Sequence, residues 1–174
     1  MPIVRDFRRY QFSPDRVNRC GHFVADNSYW KLYAVENTLR VVIASVLTIQ
    51  IGPHWWTVVS DPKLINNIQN NIQRFRAQYA SKPRHAVPGN HDIYFAYLSD
   101  LNKIIGTQAN QFRPVIPDID RWRVALDGIR LPRNLVGHMN FPNYYDRERI
   151  TKIYQRLPIL LEQLHNRGIP ILIP

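Results

Sequence analysis

The segment Pro132 to Asn140, PRNLVGHMN, places an arginine, a carboxamide and an imidazole within six residues. Each suits work on a phosphate. Arg133 carries a permanent planar fork that pairs with phosphate oxygens. His138, with an ordinary pKa of about 6.5, gives or takes a proton near neutrality. On a helix, Asn134 and His138 fall four apart on one face, where the amide can orient the imidazole or donate to phosphate. Arg133 precedes His138 by five positions, roughly 140° around the axis. One copy of the segment therefore makes half a site, and two copies across a twofold axis can complete each other. Gly137 removes a side chain beside the histidine and opens room for close approach.

Glu36 and Arg40 are four apart in the favourable acid-first order. They read either as a solvated ion pair or as an anchor and a further positive charge for the motif. Arg130 and Asn140 flank the motif and are candidate phosphate or substrate contacts, as is Tyr145.

The elements that must position these groups are helical, because apolar residues recur with period 3.6 and strand-like alternation is nearly absent. From Asn27 to about Gln50 a stripe of Leu32, Val35, Leu39, Val42, Val46 and Ile49 predicts one long buried helix, ended by Gly52-Pro53. A second helix starts at Pro62 behind a Ser60 or Asp61 cap, with Ile65, Ile68, Ile72, Phe75 and Tyr79 inward, and is expected to pair with the first. Residues 81–90 read as a loop. A third helix is expected from about His91 to Ile105, burying Tyr94, Tyr97, Leu98, Leu101 and Ile104. Residues 107–117 read as irregular. A fourth runs from Asp118 to about Leu131 over Ile119, Trp122, Leu126 and Ile129, with Pro132 interrupting it so that the motif opens a new turn. The last starts at Asp146, buries Ile150, Ile153, Tyr154, Leu157, Leu161 and Leu164, and is kinked by Pro158. The expectation is an all-α bundle of about five helices. Residues 1–26 read as an arm or short extra element and 27–174 as the helical domain.

RNLVGH, Arg133 to His138, resembles the arginine, polar residue, three others, histidine signature of the HEPN superfamily (higher eukaryotes and prokaryotes nucleotide-binding domains). YAVENTLRVVI in the first long helix resembles that family's early glutamate-and-arginine pattern, and the likeness spans roughly Asn27 to His165. Pro132 directly ahead of the arginine is a departure. The resemblance implies an all-α dimer acting as an endoribonuclease without metal or cofactor, as a toxin, a phage-defence effector or an RNA-processing module. The ribose 2′-hydroxyl would attack phosphorus and leave a 2′,3′-cyclic phosphate. His138 would move protons, Arg133 would neutralise the phosphorane oxygens, and Asn134 would assist. The alternative is a catalytically silent module that binds RNA or a protein. A regulatory partner such as an antitoxin is a further expectation, with Tyr144 and Tyr145 as candidates for modification.

Composition agrees with a polyanionic partner. Of 23 basic residues against 13 acidic ones, 18 are arginine, and the formal net charge is +10. A single cysteine, Cys20, excludes an internal disulfide and fits a reducing cytoplasm. No uninterrupted apolar run suggests a membrane helix. PGNHD, Pro88 to Asp92, copies one block of metal phosphoesterases, but no Asp-x-His block accompanies it. A loop with Asn90 capping the third helix is the expectation there. Cys20 and His22 lack a second ligand pair for zinc. His54, Trp55 and Trp56 read as a cap on the core.

Overall fold

The aliphatic stripe on the first long helix dictates the architecture, because a row of branched side chains six turns long must be covered on several sides. The computed structural model describes residues 5–58, 61–80, 82 and 88–174. Among these it is all helical, with 75% helix and no strand. A 3-10 turn, Phe7–Arg9, precedes α1 (Pro14–Val24), which Ser13 caps by accepting the Arg16 N–H at 3.2 Å. A π-helical segment, Ala25–Tyr29, carries α1 without a break into α2 (Trp30–Gln50). Then come the short α3 (Trp55–Val58), α4 (Pro62–Tyr79), α5 (Leu98–Thr107), the short α6 (Ala109–Phe112), α7 (Ile119–Gly137), α8 (Tyr144–Gln155) and α9 (Leu157–Asn166).

Helix α2 is the axis, packing on α5 and α8, while α7 bridges those two helices. Val35, Ile43, Val46 and Leu47 are fully buried, each contributing about 1.5–3 kcal/mol from removal of its side chain from water. Among the described residues, the continuous Pro14–Gln50 helix alone is apolar and long enough to cross a membrane, and 61% of its apolar window is buried inside the fold.

Several expectations are corrected. Ile49 is half-exposed, because it falls in the last turn of α2. Within residues 1–26, read as an arm or short extra element, residues 14–26 are helical and run on into α2. Asp61, one of the two expected caps, caps α4, accepting the Lys63 N–H at 2.8 Å; Ser60 lies outside the described residues, as do most of residues 81–90. Helix α4 does not run along α2. It packs chiefly on a second 3-10 turn, Asp92–Phe95, through Asn71 to the Phe95 carbonyl at 3.2 Å and Phe75 against the Phe95 ring.

The third helix is that turn plus α5, parted at Ala96-Tyr97, where both residues are extended. His91, not Asn90, caps the turn: its Nδ1 accepts the Ile93 N–H at 3.1 Å. Residues 109–116 are partly helical and bury Phe112, Val115 and Ile116. The last helix is split at Arg156, whose guanidinium donates to Asp118 at 2.9 Å and lies over the Trp122 ring. Restarting at Leu157 shifts the phase, so Leu160 rather than Leu161 is buried.

Pro132, expected to interrupt the fourth helix, does not end it: α7 runs unbroken from Ile119 through the motif to Gly137. A proline in a helix loses one hydrogen bond and crowds the carbonyl four residues back. That residue is Gly128, which is exposed and has no side-chain neighbour, so its carbonyl can tilt into solvent.

Candidate active site

Helix α7 crosses α2 beside Glu36, and the pairing of Glu36 with Arg133 sets the site. The Arg133 Nε donates to Glu36 Oε1 at 2.6 Å and its Nη2 to Oε2 at 3.4 Å, a charge-assisted fork. Glu36 is 8% exposed, so its carboxylate needs such partners. Arg40 supplies the second, from Nη2 to Oε2 at 3.4 Å. The remaining donors of Arg40 go to the Ala96 carbonyl at 3.0 Å, the Ile93 carbonyl at 3.3 Å and Asn37 Oδ1 at 3.0 Å. One carboxylate thus faces two guanidinium groups, and the pocket keeps an excess positive charge.

The two arginines are not equivalent. Burial lowers the Arg40 pKa; Glu36 opposes this, and the charge of Arg133 adds to it. Burial also works against the charge on Arg133, but the hydrogen bond and charge of Glu36 outweigh it and hold that pKa above its ordinary value. Arg40 is spent on structure. Arg133 keeps Nη1 without a hydrogen bond among the described residues, 3.5 Å from where a Cβ on Gly137 would stand. The Tyr97 ring lies 5.6 Å from its guanidinium carbon.

These groups line a cleft of about 430 Å³ whose walls include Tyr29, Tyr33, Tyr94 and Met139. His138 is not among its lining residues. It is the C-cap of α7, exposed, its N–H bonded to the Asn134 carbonyl at 3.0 Å. The Asn134 side chain is exposed one turn earlier. Beyond the cap, Met139 takes a left-handed conformation, φ 57°. Its N–H bonds to the Val136 carbonyl and that of Asn140 to Leu135, the paired bonds of a Schellman ending in which glycine is usual. Asn140 accepts from Arg8 Nη1 at 3.1 Å and donates to the His138 carbonyl at 3.2 Å. Arg130 is exposed and salt-bridged to Asp127 at 3.5 Å.

The structure therefore gathers Glu36, Arg40 and Arg133 into one cleft, places Asn134 and His138 on the surface beside it, and leaves Arg130 apart. Sequence reasoning missed the aromatic walls. Their signal was present: Tyr29, Tyr33, Glu36 and Arg40 repeat at four, three and four, a second stripe alongside the aliphatic one. Tyr97, expected inside, is 52% exposed.

The other motifs have structural roles. His91 stacks on Trp55 and meets Trp56 edge-on, while Asp92 accepts from Gln69 at 3.0 Å. Cys20 is buried, its thiol donating to the Arg5 carbonyl at 3.2 Å. Among the described residues no group of three or more His, Cys, Asp or Glu side chains is placed to hold a metal ion. Comparison with protein-family models, with curated proteins and with solved structures finds no match.

Proposed function

We propose that the chain is an endoribonuclease of the HEPN type, acting as a homodimer whose two α7 ends face one another across the scissile phosphodiester. The observation that carries this reading is the Arg133 guanidinium, seated on Glu36 at the wall of a positively charged cleft with one nitrogen free of hydrogen bonds among the described residues, and followed at the end of the same helix by an exposed imidazole. Glu36 fixes the fork, so Arg133 meets developing charge on the phosphorane oxygens without reorganising. His138 of one copy would take the proton of the 2′-hydroxyl, and its counterpart would protonate the departing 5′-oxygen. Asn134, one turn before His138, would contact the phosphate. Arg40 acts as a brace rather than as a phosphate ligand.

The test is incubation of the purified chain with RNA in chelator, with analysis of product ends. The expected result is 2′,3′-cyclic phosphate ends, no cut where the ribose lacks its 2′-hydroxyl, and loss of cleavage in His138→Ala with an unchanged circular dichroism spectrum. RNA bound but never cut would instead support a silent binding module, the reading favoured by the absence of His138 from the cleft lining.

A further inference from the structure

A groove that the cleavage chemistry does not use is formed where the Phe7–Arg9 turn meets the start of α8. It has a volume of about 240 Å³, and its lining includes Arg5, Arg9, Arg147, Tyr10, Tyr144 and Asp6. The one carboxylate is already engaged: Arg8 donates to both Asp6 oxygens, at 2.5–3.0 Å. Arg5, Arg9 and Arg147 have no ion-pair partner among the described residues. Arg5 donates to the Tyr10 hydroxyl at 2.8 Å, and Arg147 donates to the Pro142 carbonyl at 2.6 Å while lying over the Phe23 and Phe141 rings. Three positive charges thus line a groove whose rings are open to solvent. Tyr144 and Tyr145 are 65% and 68% exposed and stand edge to face at 5.6 Å.

The groove and the cleft flank one shared hollow. Between them is an apolar hollow of about 590 Å³ that shares Tyr29, Val136 and Met139 with the cleft and Phe141 with the groove. The Arg8–Asn140 hydrogen bond ties the N-terminal turn to the end of the motif along this path.

We infer that this groove is a binding track for single-stranded nucleic acid, guiding the strand that flanks the phosphate held at Arg133. Unpaired guanidinium groups follow a phosphate backbone, and exposed rings beside them stack bases without regard to sequence. An acidic peptide would use the charges but leave the rings idle. The inference rests on RNA being the ligand of the cleft, but not on its being cut.

The experiment is fluorescence anisotropy with a labelled ten-nucleotide single-stranded RNA, at two salt concentrations, on the full chain. Arg9→Glu should weaken binding at least about tenfold and reduce the salt slope by about 0.7 for each phosphate that is no longer neutralised. Tyr144→Ala should weaken it at least about fivefold. Arg121→Glu, with the same charge change about 24 Å along α7 from its Gly137 end, is the control and should have a much smaller effect. Equal losses in Arg9→Glu and Arg121→Glu would reduce the groove to bulk charge and overturn the inference. So would a Tyr144→Ala variant that binds normally, displacement of the RNA by polyglutamate at matched charge, or tighter binding of duplex RNA. Arg9 is on the surface, so its variant reads the groove even if Tyr144→Ala fails to fold. Groove-dependent binding without cyclic phosphate ends would sink the nuclease reading alone. Cleavage with unchanged binding in Arg9→Glu would sink the groove alone.

Discussion

Glu36 and Arg133 are 97 positions apart in the sequence and 2.6 Å apart in space, joining α2 to α7 at the wall of the cleft. Two guanidinium groups depend on this carboxylate. Glu36→Gln keeps one acceptor but removes the charge that both require, and it should destabilise the fold by about 2–3 kcal/mol, below the full cost of breaking a buried pair because the cleft admits water. Urea unfolding measures the loss. The Glu36→Gln, Arg133→Met double variant should lose at least about 1 kcal/mol less than the sum of the single variants, whereas additivity would mean that the pair carries no coupling.

Gly137→Ala separates stability from function. The new methyl would meet Arg133 Nη1 at 3.5 Å, an ordinary contact, so nothing has to move. Helix propensity should add about 0.5 kcal/mol, less than an interior site because this is the last turn. The same methyl covers the nitrogen left open to the cleft. The expected outcome is a slightly higher midpoint in urea and, for the proposed nuclease activity, RNA cleavage lowered several-fold.

Met139 holds a left-handed backbone at φ 57° that side chains resist. Met139→Gly should be neutral to about 1 kcal/mol more stable, strain relief being partly offset by the freer unfolded chain. Met139→Val, branched at Cβ, should lose about 1–2 kcal/mol. The thermal midpoint of the glycine variant should therefore be unchanged or higher, and that of the valine variant lower. Equal midpoints would mean the turn relaxes freely.

His91 predicts a pH effect. Burial lowers its pKa, with the charge of Asp92 opposing, and the Ile93 N–H occupies its Nδ1 lone pair. The folded protein thus binds a proton less readily than the unfolded chain. Its contribution to stability is fully present above the unfolded value of about 6.5 and is lost as pH falls through the lower folded pKa. Urea midpoints measured from pH 7.5 to 5 should fall, and His91→Gln should flatten that slope. An unchanged slope would assign the acid sensitivity elsewhere.

The helices were legible in the sequence wherever burial alone decides. Leu32, Val35, Leu39, Val42 and Val46 are all buried, as their spacing requires. Reading failed where a second residue changed the meaning of the first. Pro132 alone reads as a break, yet Gly128 four residues earlier lets the helix pass. Pro158 reads as a kink, but the chain breaks two residues before it, where Arg156 is held by Asp118 and Trp122. The Glu36 and Arg133 pair could be suspected because a carboxylate beside an aliphatic stripe needs a partner. The Arg8–Asn140 hydrogen bond could not, since nothing local in the first ten residues points across the fold.

Between α1 and α2, the Trp30 N–H reaches back five residues to the Ala25 carbonyl, so one turn holds an additional residue. Winding the same residues as an ordinary α-helix would swing everything upstream by about 100°. Phe23 would leave the face of Phe141, with which it now stacks at 5.5 Å. The wide winding of this short stretch keeps the front of the chain in phase with the rest.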